Sequence, residues 1–269
     1  MKLLFVLLLC SAAFGSDFSD EEINYLGNLV ESGEAEETTL FIGQYGTVDR
    51  IELYNLAREL FVFSSFQGQN LDDLAYVSSF AIEDMLSTSR EQSSELIRKR
   101  LLDQANIFSY NLSADLAQCW PGDTLVRTEE HFQRGLSAAL QCIEWRLYLE
   151  KNDEAMYMAH WAAGMHQLSL GQPEQAIYNM VRSLNYAEQM AVDSGISLGF
   201  YSGAGFKLLL AHGYLGLAFI EAGDSSQHYD ETISLFQDGL VEYPGMVGDY
   251  QFGIDQLEWA RKKLEAGRI

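Results

Sequence analysis

The chain predicts an all-α fold of stacked helical hairpins, an α-solenoid of about eight to ten helices with no significant sheet. Three observations carry that expectation. Residues 156–186 read as two amphipathic helices folded against each other across Gly171-Gln172-Pro173, with the glycine where a helix stops and the proline where one starts. The outline of this pair returns around Gly223, near the C-terminus. Elsewhere apolar residues recur at helical spacing between capping signals, and Thr38-Thr39-Leu40-Phe41-Ile42 is the one short β-prone run.

The N-terminus carries a different kind of signal. Met1-Lys2 precedes Leu3 to Leu9, an apolar run too short to span a bilayer, and then small residues ending in Ala13-Phe14-Gly15. This is the pattern of a signal peptide over residues 1–15, and export to the periplasm or the extracellular space is the expectation. The rival reading is a lipoprotein anchored through Cys10, the one route by which the chain would meet a membrane; Leu9 stands where such signals carry a small residue. Residues 16–269 then form a single all-α domain. Its 39 acidic residues against 17 basic ones give the full chain a net charge of −22, which repels nucleic acid and anionic membrane surfaces.

With Cys10 removed, Cys119 and Cys142 remain. They either pair, closing a loop of about two dozen residues and stabilising by roughly 3 kcal/mol, or stay as two buried thiols. No CxxC or histidine-rich spacing suggests a metal, and no motif suggests a cofactor.

Taken in order, Ser19-Asp20-Glu21-Glu22 is a capping box that opens a first helix to about Glu31. Residues 32–46, with three glycines and an acidic cluster, read as a surface loop. Helical spacing returns over 49–67, Gly68 offers a stop, and Asn70 caps the next helix. Thr88-Ser89-Arg90-Glu91 reads as a further capping box, opening a helix whose Leu96, Leu101, Ala105 and Phe108 face the core. Cys119 to Arg127, with Pro121 and Gly122, breaks the chain. Thr128 then starts a long helix to about Glu150, with Leu136, Ala139 or Leu140, Ile143 and Leu147 as its stripe.

The two hairpins, at about 155–190 and 206–245, share a register. Gly164, Gly171, Ala176, Met180 and Leu184 mark the first; Leu215-Gly216, Phe219, Gly223, Phe236, Leu240 and Pro244 mark the second. This resembles the tetratricopeptide repeat, with its Leu-Gly pair, aromatic, turn glycine, small residue, second aromatic and closing proline. The copies are degenerate: Ala163 and Gln167 replace the expected leucine and aromatic. The turn glycines also stand farther apart than the usual ~34-residue period, and the excess falls between Ser194 and Gly205. Residues 250–266 resemble the helix that caps such arrays.

The resemblance implies that the first helix of each repeat lines a concave face that binds a partner. That register places Met158, Trp161, Met165 and Leu168 from the first copy, and Leu210, Leu217 and Ile220 from the second, on the inner side. The face is apolar. Either residues 49–112 fold over it, or it lines a pocket for an apolar ligand or a partner helix.

His160 and His212 each lie four residues before the aligned glycine, so the register stacks them in adjacent repeats, while His131 and His166 stand alone. With no carboxylate at ligand spacing, a buried imidazole donating to a backbone carbonyl is the simpler expectation. Gly199 to Phe206 has the glycines of a phosphate loop but no preceding strand and no Gly-Lys-Ser, and reads as a connector. No nucleophile elbow, metal motif or divergent acid pair points to an enzyme. The expected function is therefore a non-catalytic, exported helical-repeat protein that binds an envelope or secreted protein. The alternative is a periplasmic binder of an apolar small molecule, in the manner of the tetratricopeptide-like component of one class of transporters.

Overall fold

The computed structural model describes residues 18–63, 70–196 and 204–267, and within these every regular element is helical: eleven α-helices and a short 3-10 turn. The segment expected to be a signal peptide, Cys10, the stop at Gly68 and most of the glycine-rich connector before Ala204 lie outside the described residues. The chain divides into two compact units, residues 1–77 and 78–269.

The first unit holds α1 (Asp20–Glu31), α2 (Ala35–Ile42), α3 (Thr47–Phe63) and the opening of α4 (Leu71–Glu91). The capping box at α1 forms as its spacing demands. Ser19 Oγ accepts from the Glu22 amide at 3.3 Å, and the Glu22 carboxylate accepts from the Ser19 amide at 2.8 Å. Asn70 Oδ1 likewise accepts from the Asp72 amide at 2.9 Å to start α4.

Residues 32–46 are not a loop throughout, because Ala35–Ile42 is a helix. Its β-branched threonines disfavour helix locally, but Thr38 and Thr39 donate their hydroxyls back to the Glu34 and Glu36 carbonyls, each at 2.8 Å. Both are buried with Ile42. Packing against α1 and α3 therefore overrides propensity. Phe41 adds edge-on contacts to Tyr25 and Tyr45, at 5.1 and 5.3 Å between ring centroids.

The second unit holds the rest of α4 and then α5 (Glu95–Leu116), α6 (Glu129–Tyr148), α7 (Asp153–Ser169), α8 (Pro173–Asp193), α9 (Ala204–Glu221), α10 (Gln227–Glu242) and α11 (Val247–Ala266). The capping box expected at Thr88 does not open a helix. α4 continues to Glu91, and Arg98 closes it from beyond by donating to the Gln92 carbonyl at 3.0 Å, while Ser89 donates to the Arg98 carbonyl.

From α6 onward each helix packs on the one before it, and α5, α7, α9 and α11 also touch in succession. They form one layer, and α6, α8 and α10 form a second layer seated between them. This is a stack of helical hairpins. Gly171 and Gly223 end α7 and α9 in the left-handed region, at φ of 66° and 87°, which is why glycine stands at both turns. The crossings are equally tight in both hairpins. A Cβ on Gly164 would meet Met180 Cε at 2.7 Å, and one on Gly216 would meet the Tyr229 amide nitrogen at 2.7 Å. The α7 helix is buried throughout its middle, with every residue from Met156 to Leu168 inside.

On α6 the expected stripe holds at Ala139, with Leu136 and Ile143 packed on the core, but it is incomplete. Leu140 and Leu147 point to solvent, while Phe132, Gly135, Ala139, Cys142 and Arg146 face inward. Leu96 on α5 is likewise exposed, although Leu101, Ala105 and Phe108 are buried as expected.

Candidate functional site

The residues expected on a concave face are interior. Met158, Trp161, Met165, Leu168, Leu210 and Leu217 expose between 1% and 8% of their surface, and Ile220 is half-buried. Trp120, from the connector after α5, meets Trp161 edge-on at 6.0 Å, and Tyr214 of α9 meets it from another side at 5.8 Å. Ala114, Ala117, Cys119 and Ala139 join the same cluster. Within the second unit the face is closed by the end of α5, its connector and α6. Its apolar side chains are part of the core among the described residues.

Of the two alternatives for Cys119 and Cys142 the structure has the second, two buried free thiols. Each looks to a different neighbour. Gln256 of α11 lies 3.9 Å from Cys119 Sγ, whereas Cys142 donates to Asn106 Oδ1 on α5 at 3.0 Å. Burial pushes the Cys119 thiol up to about 12 and the Cys142 thiol up to about 11, so neither is a nucleophile near neutral pH.

Two buried arginines organise the same region. Arg127 caps the C-terminus of α5, donating from Nε to the Leu116 carbonyl at 2.9 Å and from Nη2 to the Asp115 carbonyl at 2.8 Å. Its Nη2 also pairs with Asp123 Oδ2 at 2.7 Å. Arg146 donates from Nε to Asn106 Oδ1 at 3.1 Å and from Nη1 to the Ala155 carbonyl, with its guanidinium over the Tyr110 ring. Neither arginine stood out in the sequence. The one cue was Arg127 at the end of the Pro121-Gly122 break.

The histidines do not stack between repeats. Each turns to the second helix of its own hairpin instead. His160 Nδ1 meets Asn179 Oδ1 at 2.8 Å, and Asn179 Nδ2 donates to Gln167 Oε1 at 2.9 Å. In the second hairpin His212 Nδ1 meets His228 Nε2 at 3.2 Å, and Phe219 lies edge-on to His228 at 5.7 Å. The correspondence is positional. Asn179 and His228 each precede the residue that the crossing glycine touches, and Gln167 and Phe219 each stand three after that glycine.

Burial holds both His160 and His212 below the ordinary imidazole value, with His228 adding to the effect on His212. His166 is the carbonyl-bound case. It donates from Nε2 to the Ser113 carbonyl at 2.8 Å, and burial lowers it to about 4. His131 closes the box at Thr128, its Nδ1 lying 3.0 Å from the Thr128 amide nitrogen.

On the outside, helices of both layers expose large apolar side chains, with Leu96 and Ile97 exposed on α5 and Val247 on α11. Large exposed apolar side chains lie on α6, α8 and α10, among them Leu147, Tyr148, Tyr178, Val181, Leu235 and Val241. None lies on the described parts of α7 or α9. A groove of about 400 Å³ runs between α10 and α11, lined by Tyr229, Ile233, Glu258 and Arg261 among others. Arg261 spans it, its guanidinium 5.1 Å from the Tyr229 ring centroid and its Nε 3.0 Å from Glu265 Oε1. Among the described residues no helix is long and apolar enough to cross a membrane, and no group of three or more His, Cys, Asp or Glu is placed to hold a metal.

No family model matches the chain, and no curated protein matches it. A solved structure titled "Computational Design of Self-Assembling Cyclic Protein Homooligomers" is similar over 92% of this chain and 96% of its own, at 14% identity and a TM-score of 0.28. A likeness of that size carries no functional argument.

Proposed function

We propose that this is a non-catalytic, exported helical-repeat protein, similar to tetratricopeptide arrays, that docks a partner protein on the outer layer of its hairpins. One observation carries the reading. The central helices α7 and α9 are filled by their own side chains and expose no large apolar residue in their described parts, while α6, α8 and α10 present large apolar residues to solvent. Aromatic and aliphatic side chains held on a rigid scaffold are the usual anchors of a protein interface. The alternative, an apolar small molecule held against Trp161, is weakened by the packing there, since such a ligand needs an open cavity.

The test is purification of the native protein with its partner and comparison with a Tyr178→Asp, Val181→Asp variant. Tyr178 is 59% and Val181 37% exposed, so the double change should leave the melting temperature near that of the wild type. It should also remove a stoichiometric partner. A strictly monomeric protein with no partner, or a partner retained by the variant, would contradict the proposal.

A further inference from the structure

The first hairpin closes its buried imidazole with amides: His160 meets Asn179, and Asn179 in turn donates to Gln167. The second hairpin keeps the same three positions but fills them with His212, His228 and Phe219. Exchanging the amide for an imidazole sets two nitrogen ligands face to face, and exchanging Gln167 for Phe219 removes the side chain that would occupy the second of them. The ring of Phe219 packs edge-on against His228 and fixes its orientation.

We propose that His212 and His228 form a two-imidazole site for a divalent transition metal of the Zn²⁺ or Cu²⁺ class. The separation fits. Two imidazole nitrogens bound to one tetrahedral zinc at 2.0–2.1 Å stand about 3.3 Å apart, with their ring centroids about 5 Å apart. His212 Nδ1 and His228 Nε2 are 3.2 Å apart, with centroids at 5.2 Å. Both side chains are half-buried, so the site reaches solvent, and water completes the coordination.

In the metal-free pair one ring donates its N–H to the other. On binding, that ring carries its proton on its remaining nitrogen, so both facing lone pairs bind the metal and two neutral imidazoles lose no net proton. Imidazole ligands favour zinc and copper over magnesium or calcium.

The experiment is calorimetric titration of the full chain with Zn²⁺ at neutral pH, with electron paramagnetic resonance of the Cu²⁺ form. The expected result is one equivalent bound in the micromolar range and a copper spectrum showing two nitrogen donors. His228→Asn restores the amide that the first hairpin uses and should fold normally while weakening binding at least ten-fold. His212→Asn should do the same. Wild-type protein that binds no stoichiometric Zn²⁺, a copper spectrum without paired nitrogens, or unchanged affinity in His228→Asn with an unchanged melting temperature would each overturn the proposal. The copper spectrum needs no variant, so misfolding of either substitution leaves the test standing.

Discussion

Gly135 sets how closely α6 meets α7, because a Cβ there would lie 2.2 Å from His166 Cε1. The imidazole needs that space, being wholly buried and tied to the Ser113 carbonyl. The consequence is a dependence on pH. In the native state His166 stays neutral down to about 4, whereas an unfolded histidine takes its proton near pH 6.5. Between those values the unfolded chain binds more protons, so stability is complete above about pH 6.5 and falls as the pH drops toward 4, by about 3 kcal/mol for this group. Urea denaturation across that window should show the decline, and His166→Gln should remove the share of His166 from it, leaving those of His160 and His212. At this scale much could be read beforehand: the turn glycines, the box at Ser19 and the helix start at Thr128 are local chemistry. The partners of His160, His212 and His166 depend on contacts between helices, which spacing along one helix does not contain.

Capping links the elements. The last carbonyls of α5 are buried and have no helical partner, and Arg127 supplies one from eleven and twelve residues away. Arg127→Met would keep the volume and remove the donors, leaving buried carbonyls and Asp123 unmatched. The expected loss is about 3 kcal/mol in chemical denaturation, with the helical circular dichroism of the folded state retained. A variant within a few tenths of a kcal/mol of wild type would show that α5 ends without this cap. The helices themselves were largely legible, and their errors share a cause. Local propensity made α2 a loop and Thr88 a helix start, yet Thr38, Thr39 and Ile42 are held in a helix by what they pack against. The stripe on α6 was incomplete, ending in the exposed Leu147, because the inward face also includes a glycine, a cysteine and an arginine, which an apolar count does not favour.

For the second unit as a whole, the order of hairpins followed from the repeated register, but the closing of its inner layer did not. Apolar residues at 158, 161, 165, 210 and 217 suit an open groove and a packed core equally, and what decides between them is Trp120 and the neighbours that α5 and α6 bring to Trp161. A docking role on the outer layer depends on that closed interior. Truncation of Trp161 to alanine tests it most directly. With Trp161 packed between Trp120 and Tyr214, Trp161→Ala should cost about 3–5 kcal/mol in equilibrium denaturation. A variant whose stability stays within about 0.5 kcal/mol of wild type, as for an exposed side chain, would mean that the inner face is open and that the account is wrong at its centre.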